Sequence, residues 1–393
     1  MSGIDTMVVR QIEGRTELAL LSGTRLIEVR FGGQQHSDER GSIHMGRVER
    51  LAGDVEAAFV DFGAERAGFL RFTDMIGGVG ERPQAGDPVL VQVVRPAGNE
   101  KGARLTTKLS IPGRHLRLRP QEAGLSFDER IEDRLERERL AQALGPLAQD
   151  IGITLAPGAA GRDGDLLRIE IERLMAGWDR VRAQALTAKP PTCLFRDGEV
   201  LVAAVRDFGL DLRRIIVPDR LTAKRVETAI AAHGDSIAVE LHRGEPAIFE
   251  ICDIEAQIDQ ALAPKVALPS GGELLFELGR TLSAIDVDSG SAGAAGGATP
   301  RRLLSVNLEA AEEIARQLRL RNIGGIVIVD FAAMRESADR DRALGRLAIA
   351  LAEDPTPCHL VGPTRLGLIE LTRARRGPTL AQSYAAAKDR AET

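Results

Sequence analysis

Two aspartates that close strongly apolar runs are the residues of this chain best suited to do chemistry. Asp286 closes the run 283–286, and Asp330 closes the run 327–330. If the two runs are neighbouring parallel strands, both carboxylates emerge at the same sheet edge, which is where open α/β sheets form ligand sites. Because converging carboxylates repel each other, the pattern predicts a bound cation between them.

Mg²⁺ suits such a site because it takes hard oxygen ligands, needs only one or two protein carboxylates and keeps several waters. The chemistry that follows is phosphodiester hydrolysis. Asp288 would point to the same side as Asp286 in an extended strand, and it could join the site through water. The alternative is an ordinary turn or helix-cap role, which is the commoner one for an aspartate at a strand end.

The elements around this pair predict an α/β arrangement. Runs 273–278 and 281–287 indicate a hairpin. The stretch 289–300, rich in Gly, Ala and Ser, indicates a surface loop. A helix is predicted to begin at Asn307 as its N-cap, and the apolar run 326–331 is typical of a strand buried on both faces.

The remainder of the chain predicts further modules. Residues 7–31 indicate two short strands around a polar turn. Five β-rich runs between 42 and 111 predict a small closed barrel such as an OB-fold. Amphipathic helices are expected around 131–144 and 169–181. Between 198 and 263 an α/β or α+β module is predicted, with strands at 200–205, 215–217 and 237–241 and helices at 225–232 and 254–262.

Composition is that of a globular protein with several modules. The chain has 393 residues, 44% of them hydrophobic, and a net charge of −5. Nucleic-acid binding would therefore depend on local charge, and between Arg95 and Arg119 seven cations accompany Glu100 alone. A solvated basic face without a partner is the alternative. Three scattered cysteines and the lack of an apolar leader or a long apolar run predict a cytoplasmic protein with no membrane segment.

Sequence blocks along nearly the whole chain resemble the catalytic half of the bacterial ribonuclease E/G endoribonucleases. They occur in the family's order at 55–66, 68–70, 105–107, 268–272, 284–286, 307–311, 314–321 and 324–331. The resemblance implies an α/β and α+β multidomain fold. Residues 1–38 and 210–278 would form an RNase H-like subdomain, 39–119 an inserted OB-fold RNA-binding domain, 120–209 a degenerate 5′-sensor-like region, and 279–393 a DNase I-like catalytic subdomain.

The same resemblance implies roles for individual residues. Asp286 and Asp330 match the family's two Mg²⁺-binding aspartates. Phe59, Phe69 and Lys101 match its RNA-contacting residues, which agrees with the way aromatic faces stack bases and cations hold phosphates. The alternative for the two phenylalanines is a place in the barrel core.

Four departures from the family pattern qualify these expectations. Asp288 stands where the family has Asn, which adds a negative charge to the catalytic site. Ala156 and Pro157 stand where the 5′ sensor offers Arg and Thr, although Gly113 matches a sensor glycine, so we expect weak or absent sensing of a 5′-monophosphate. The region 374–378 lacks the family's cysteine element, so no zinc-linked dimer is expected. The small dimerising domain of the family is also not expected.

These observations favour a Mg²⁺-dependent endoribonuclease that hydrolyses single-stranded RNA, with Asp286, Asp330 and Asp288 as its catalytic residues. An RNA-binding relative with little or no cleavage activity is the second hypothesis. A generic α/β metal-binding protein is the third, and it leaves the ordered family blocks unexplained.

Overall fold

The chain forms two units, and the sequence of one is inserted within the sequence of the other. The computed structural model describes residues 3–12, 15–32, 39–77, 82–97, 102–196, 199–231, 233, 235–279, 281–290 and 299–388. The inserted unit is Gln35–Asp207, and the terminal unit combines Met1–Gln34 with Phe208–Thr393. Both mix helices and strands, as expected.

The strands, in chain order, are β1 (Thr6–Ile12), β2 (Arg15–Ser22), β3 (Arg25–Gly32), β4 (Ile43–Ala52), β5 (Ala57–Asp61), β6 (Gly68–Arg71), β7 (Pro88–Arg95), β8 (Arg104–Thr106), β9 (Ile111–Pro112), β10 (Leu116–Arg119), β11 (Gly124–Phe127), β12 (Gly152–Leu155), β13 (Thr192–Phe195), β14 (Arg214–Val217), β15 (Ala238–Leu241), β16 (Lys265–Ala267), β17 (Glu273–Leu278), β18 (Leu282–Asp288), β19 (Gly325–Asp330), β20 (Cys358–Pro363) and β21 (Ile369–Arg373). The α-helices are α1 (Arg134–Leu144), α2 (Gly164–Ala185), α3 (Val200–Phe208), α4 (Arg220–Ala231), α5 (Ile254–Leu262), α6 (Pro300–Leu320), α7 (Ser337–Ala352) and α8 (Leu380–Lys388).

Five strands of the inserted unit close into the expected barrel. The order is β4-β5-β6-β8-β7, and β7 pairs back with β4. Alternate side chains such as Val60 and Leu70 fill the interior, together with Phe62 and Phe72. Gly68 permits this closure, because a Cβ there would collide with the side chain of Leu105 on β8.

A second sheet of the inserted unit has the order β11-β12-β10-β9, and its core includes buried residues of α1 and α2. Because β9 pairs with β10, the segment from Ile111 belongs to this sheet, although it lies before residue 119, the expected end of the barrel domain. Leu135 on α1 and Ile169 on α2 are apolar residues of the stretches expected to be amphipathic, but both are exposed. Trp178 and Val181 on α2 are buried as expected.

Two sheets build the terminal unit. The first has the order β15-β14-β1-β2-β3, and the second has the order β16-β17-β18-β19-β21-β20. The N-terminal segment thus contributes three strands rather than the expected two. The helices α6 and α7 cover one face of the second sheet, where they form a core with residues such as Leu274, Ile285 and Val327.

The predicted boundary at residue 279 lies within this second sheet. The predicted hairpin is confirmed, because β17 pairs antiparallel with β18 and Leu275 faces Asp286. Strand pairing places β17, and with it β16, in the same sheet as β18. The sheet therefore begins at Lys265.

Three further predictions about elements are corrected. Residues 200–205 form part of α3 rather than a strand, with Leu201, Ala204 and Val205 buried along one helix face. The strand β19 is buried on one face only, because Ile326 is 43% exposed. The helix α6 begins at Pro300, where the Thr299 side chain accepts a hydrogen bond from the Arg302 backbone N–H. Most of the predicted loop 289–300 lies outside the described residues.

Within the described segments, no helix combines the length and the apolarity needed to cross a bilayer.

Candidate functional site

The acidic pair lies on two neighbouring strands in register. The strands β18 and β19 are parallel, and Asp286 is the direct partner of Asp330. Both aspartates are exposed, whereas Ile285, Val287 and Val329 on the alternate positions are buried under α6 and α7. Because side chains alternate along a strand and parallel strands lie about 4.8 Å apart, the two carboxylates emerge side by side on the uncovered face of the sheet.

The position of Asp286 differs slightly from the prediction. Pairing between β17 and β18 continues to Glu273 and Asp288, so Asp286 lies two residues before the end of its strand. Asp330 is the last residue of β19. The pair is therefore at the carboxyl end of β19 but two residues inside the end of β18.

Repulsion between the carboxylates contributes to a raised pKa at Asp286. Burial, the charge of Asp330 and the charge of Asp288, in that order, raise the pKa of Asp286 above the ordinary value for aspartate. A cation between the carboxylates would relieve this repulsion. Over the described part of the chain, no group of three or more His, Cys, Asp or Glu side chains has the arrangement of a metal site. Two carboxylates are nevertheless a donor set that Mg²⁺ accepts, since it retains waters as its other ligands.

A shallow cavity of about 420 Å³ borders Asp286, the first member of the acidic pair. Asp286, Asp288 and Ser289 line one side, and Leu303 and Ala332 lie among the other lining residues. The cavity is open to solvent. Its volume leaves room for a cation with several bound waters.

Asp288 shares the exposed face of β18 with Asp286, and its carboxylate has a local partner. Its Oδ1 atom accepts a hydrogen bond from the Gly290 backbone N–H at 2.9 Å. Gly290 has a φ of +73°, and a Cβ there would collide with the carbonyl oxygen of Gly271. The block 268–272 thus packs against the turn that follows β18, and this turn orients Asp288.

Asn307 is a residue of the site that its sequence position did not reveal. It was predicted as a helix N-cap, but it is fully buried on α6. Its Nδ2 donates to the Ala332 carbonyl at 2.8 Å, and its Oδ1 accepts from the Ala332 N–H at 3.0 Å. This double hydrogen bond fixes the backbone two residues after Asp330. A buried amide on an otherwise apolar helix face was the signal available in the sequence.

The two phenylalanines of the proposed RNA contact lie together on the outside of the barrel. Phe59 on β5 is paired with Phe69 on β6, and their ring centroids are 5.6 Å apart at an interplanar angle of 67°. Both are half-buried and outside the barrel core, which contains Phe62 and Phe72 instead. Lys101, the third expected contact, lies outside the described residues.

The sensor-like region places a carboxylate beside Gly113. A Cβ at Gly113 would collide with the Glu170 carboxylate, which accepts hydrogen bonds from the Arg114 N–H and from His115 Nδ1. Although burial opposes it, the hydrogen bond and charge of His115 lower the pKa of Glu170. Ala156 donates its backbone N–H to the His115 carbonyl at 2.8 Å and has no side-chain donor for a phosphate.

Comparison with known proteins gives consistent matches along the chain. The model of the ribonuclease E/G family matches residues 110–376. A ribonuclease E of Nostoc sp. (strain PCC 7120) is 35% identical over 362 residues, which are 88% of this chain and 52% of that protein. The ribonuclease E of Escherichia coli (strain K12) is 31% identical over 93% of this chain and 36% of its own length. The ribonuclease G of the same strain is 32% identical over 94% of this chain and 79% of its own length.

The extent of these matches differs between relatives. The chain spans about half the length of the Nostoc ribonuclease E and roughly four fifths of the E. coli ribonuclease G. In each case nearly all of this chain is aligned. The acidic pair, Asn307 and the block 268–272 all lie inside the region that the family model matches.

Proposed function

The chain belongs to the ribonuclease E/G family, and from this premise we propose that it is an endoribonuclease that hydrolyses phosphodiester bonds in single-stranded RNA with Mg²⁺ held by Asp286 and Asp330. The observation that carries the proposal is the register of the pair. Two exposed carboxylates stand side by side on the open face of a sheet whose other face is covered by α6 and α7.

The chain's own residues have distinct roles in this proposal. Asp286 and Asp330 hold the cation in their ionised forms, and Asn307 maintains the backbone that follows Asp330. Asp288 faces the same cavity and orients water by accepting a hydrogen bond from it. When bound, Mg²⁺ supplies positive charge to the phosphate oxygens and lowers the pKa of a water.

The finer assignments belong to the same proposal. The sheet containing β1 and β14 would be the RNase H-like subdomain, and the sheet containing β18 and β19 the DNase I-like subdomain. The barrel would be the OB-fold that binds RNA through Phe59, Phe69 and Lys101. Its half-buried aromatic pair on the outer surface supports this role, because the accessible faces of aromatic rings stack unpaired bases.

A second candidate function is RNA binding without cleavage. The observation that favours it is Asp288, which adds a charge next to Asp286 and is tied to Gly290 rather than free to rotate. In that case RNA would bind the barrel, and the extra charge of Asp288 beside the acidic pair would leave a bound cation unable to support turnover.

A cleavage assay with labelled single-stranded RNA separates the two functions. The wild type should cut with Mg²⁺ and not with EDTA. Asp286→Asn and Asp330→Asn should each reduce the rate by more than about a hundredfold, since even residues that only support metal ligands cost ten- to a hundredfold.

Asp341→Asn is the matched control, because Asp341 is an exposed aspartate on α7. It should leave the rate unchanged. RNA binding without product from the wild type at saturating Mg²⁺ would establish the second function instead.

Equal rates on 5′-monophosphate and 5′-hydroxyl RNA are expected for the active enzyme, since Ala156 and Pro157 replace the polar sensor residues.

A further inference from the structure

A row of aromatic and cationic side chains crosses the outer surface of the barrel. Strand pairing aligns Arg50 on β4 with Phe59 on β5, and Phe59 with Phe69 on β6. Arg71 lies two residues after Phe69 on the same strand, and therefore on the same face. We call these four residues the barrel row.

Each ring of the barrel row lies near a guanidinium group. The Cζ atom of Arg50 lies 3.7 Å from the centroid of the Phe59 ring, which is the distance of a stacked pair. The Cζ atom of Arg71 lies 6.0 Å from the centroid of Phe69, at the outer limit of such a contact. Arg50 thus occupies a ring face of Phe59 that a base would need for stacking.

The two arginines keep their hydrogen-bonding capacity. Among the described residues, no carboxylate forms an ion pair with Arg50 or Arg71, and both are exposed. Arg104, which is aligned with Phe69 on the next strand, is in contrast paired with Asp74 at 2.9 Å. A guanidinium stacked on a ring still presents N–H donors at its edge, and two of them can bind a phosphate together.

Building on the proposed RNA-binding function, we propose that Arg50 and Arg71 each bind a backbone phosphate of the strand whose bases stack on Phe59 and Phe69, and that Arg50 leaves the Phe59 ring as the base arrives. The exchange is favourable because a base–aromatic stack is stronger than an exposed cation–π contact. The released guanidinium then gains a charged partner. Arg50 thereby shields the ring from water in the free protein and holds RNA in the complex.

Salt dependence of binding tests this assignment. The probe is a fluorescein-labelled oligouridylate, with fluorescence anisotropy measured in EDTA over a range of potassium chloride concentrations, so that cleavage does not interfere. Removing one arginine that pairs with a phosphate should reduce the slope of log affinity against log salt by about 0.7. We expect this reduction for Arg50→Ala and for Arg71→Ala. Arg50→Lys should keep the slope, because it keeps the charge.

The phenylalanine variants separate stacking from charge. Phe59→Ala should weaken binding by about tenfold with an unchanged slope, since a stack releases no counterions. Arg134→Ala is the matched control, because Arg134 is an arginine of the same unit, on α1, whose side chain is 90% exposed. It should change neither slope nor affinity. Circular dichroism spectra would establish that all variants retain the fold.

The outcomes distinguish this inference from the proposed function. If the wild type binds and Phe59→Ala weakens binding while both arginine variants keep the wild-type slope, the phosphate assignment is wrong and RNA binding stands. If Arg134→Ala lowers the slope as much as Arg50→Ala, the effect is one of net charge and the assignment is also wrong. If the wild type does not bind RNA, the proposed function itself fails.

Discussion

At the scale of single residues, the ionisation of Asp286 decides whether the acidic pair can hold a cation. Its pKa is raised by burial, by Asp330 and by Asp288, so its carboxylate is protonated at a higher pH than an ordinary aspartate. Cation binding requires the ionised form, and affinity must fall as the pH falls toward this raised pKa. The folded protein is also destabilised above that pKa, because the ionised carboxylate repels its neighbours.

Asp288→Asn should shift the acid limb of the pH–rate profile to lower pH. The change removes one of the charges that raise the pKa of Asp286, so the carboxylate stays ionised further into the acid range. The measurement is kcat/KM against pH at subsaturating Mg²⁺, with Asp341→Asn as the control. An acid limb that stays in place would mean that Asp288 does not influence the ionisation of the pair.

Asn307→Leu should raise the Mg²⁺ concentration needed for half-maximal rate. The leucine fills the space but leaves the Ala332 N–H and carbonyl unpaired, which costs about 1–3 kcal/mol of unfolding free energy and loosens the backbone after Asp330. The measurements are urea unfolding and a Mg²⁺ titration of the rate.

Leu318→Ala controls for a general loss of stability in the same helix. Leu318 is fully buried, and its truncation should cost about 2–5 kcal/mol. It should not change the Mg²⁺ requirement. If it raises that requirement as much as Asn307→Leu does, the hydrogen bonds to Ala332 have no specific part in metal binding.

The local pattern marked Asp286 and Asp330 as candidates, because an aspartate after an apolar run is visible in the sequence. That pattern alone favoured a turn or helix-cap role, and the resemblance to the family's sequence blocks selected the pair. The role of Asn307 was missed because its partner Ala332 is twenty-five positions along the chain, and an asparagine before an amphipathic stretch resembles an N-cap. Its hydrogen bonds to the Ala332 backbone, which distinguish it from an N-cap, are visible only in the tertiary structure.

At the scale of elements, arginines of the helix α6 attach it to the strand β3 of the same unit through hydrogen bonds and ion pairs. Its block 314–321 carries arginines that point inward: Arg316 donates to the Leu26 carbonyl at 2.6 Å, and Arg319 contacts Glu28 on β3 at 2.9 Å. Although burial would raise it, the charges of Arg30 and Arg319 lower the pKa of Glu28 to about 2. The basic block is therefore structural here rather than a surface for RNA.

Glu28→Gln should destabilise the protein by on the order of 3 kcal/mol at neutral pH, because it leaves Arg30 and Arg319 without their shared carboxylate. The folded pKa of Glu28 lies below the unfolded value of about 4.3, so its contribution is complete above pH ~4.3 and is lost as the pH falls toward 2.

Unfolding free energies of wild type and variant, measured by urea denaturation from neutral to acid pH, check this prediction. The two curves should converge in acid. Glu227→Gln, at an exposed position on α4, should follow the wild type throughout. A difference that persists at the same size below pH ~3 would mean that the ion pairs are not its source.

Helices and strands were predictable where the alternation of buried and exposed residues alone identifies the type of element. The barrel strands alternate between interior and exterior and lie next to turn residues, so their positions followed from the sequence. Residues 200–205 were misread because a short apolar run fits a buried strand and a buried helix equally well. The predicted boundaries at 119 and 279 lie within sheets of the structure, because the pairing partners of β9 and β17 decide which sheet each strand joins.

At the scale of the whole molecule, the chain leaves the terminal unit near Gln34 and returns to it at Phe208. Within the terminal unit, the Cζ atom of Arg30 on β3 lies 4.7 Å from the centroid of the Phe208 ring. Arg30, four residues before Gln34, thus lies beside the residue at which the chain returns. Each unit also has hydrophobic cores made of its own residues, such as the barrel interior and the core beneath α6 and α7.

The inserted unit, produced alone as residues 35–207, should fold cooperatively and bind single-stranded RNA without cutting it. It contains the barrel row and both of its own sheets, but not Asp286 or Asp330. Circular dichroism during thermal unfolding and anisotropy with the oligouridylate probe are the measurements. A fragment that shows no cooperative transition would mean that its fold depends on the terminal unit, and RNA cleavage by the pure fragment would contradict the assignment of the acidic pair.

The openness of the shallow cavity beside Asp286 has a consequence for which molecules it can accept. The cavity is open rather than enclosed, and Asp286 and Asp288 beside it are both exposed. A polymer can enter such an open cavity from the side, at any point along its length. Under the proposed function, a covalently closed RNA circle would therefore be as acceptable to this surface as a linear strand.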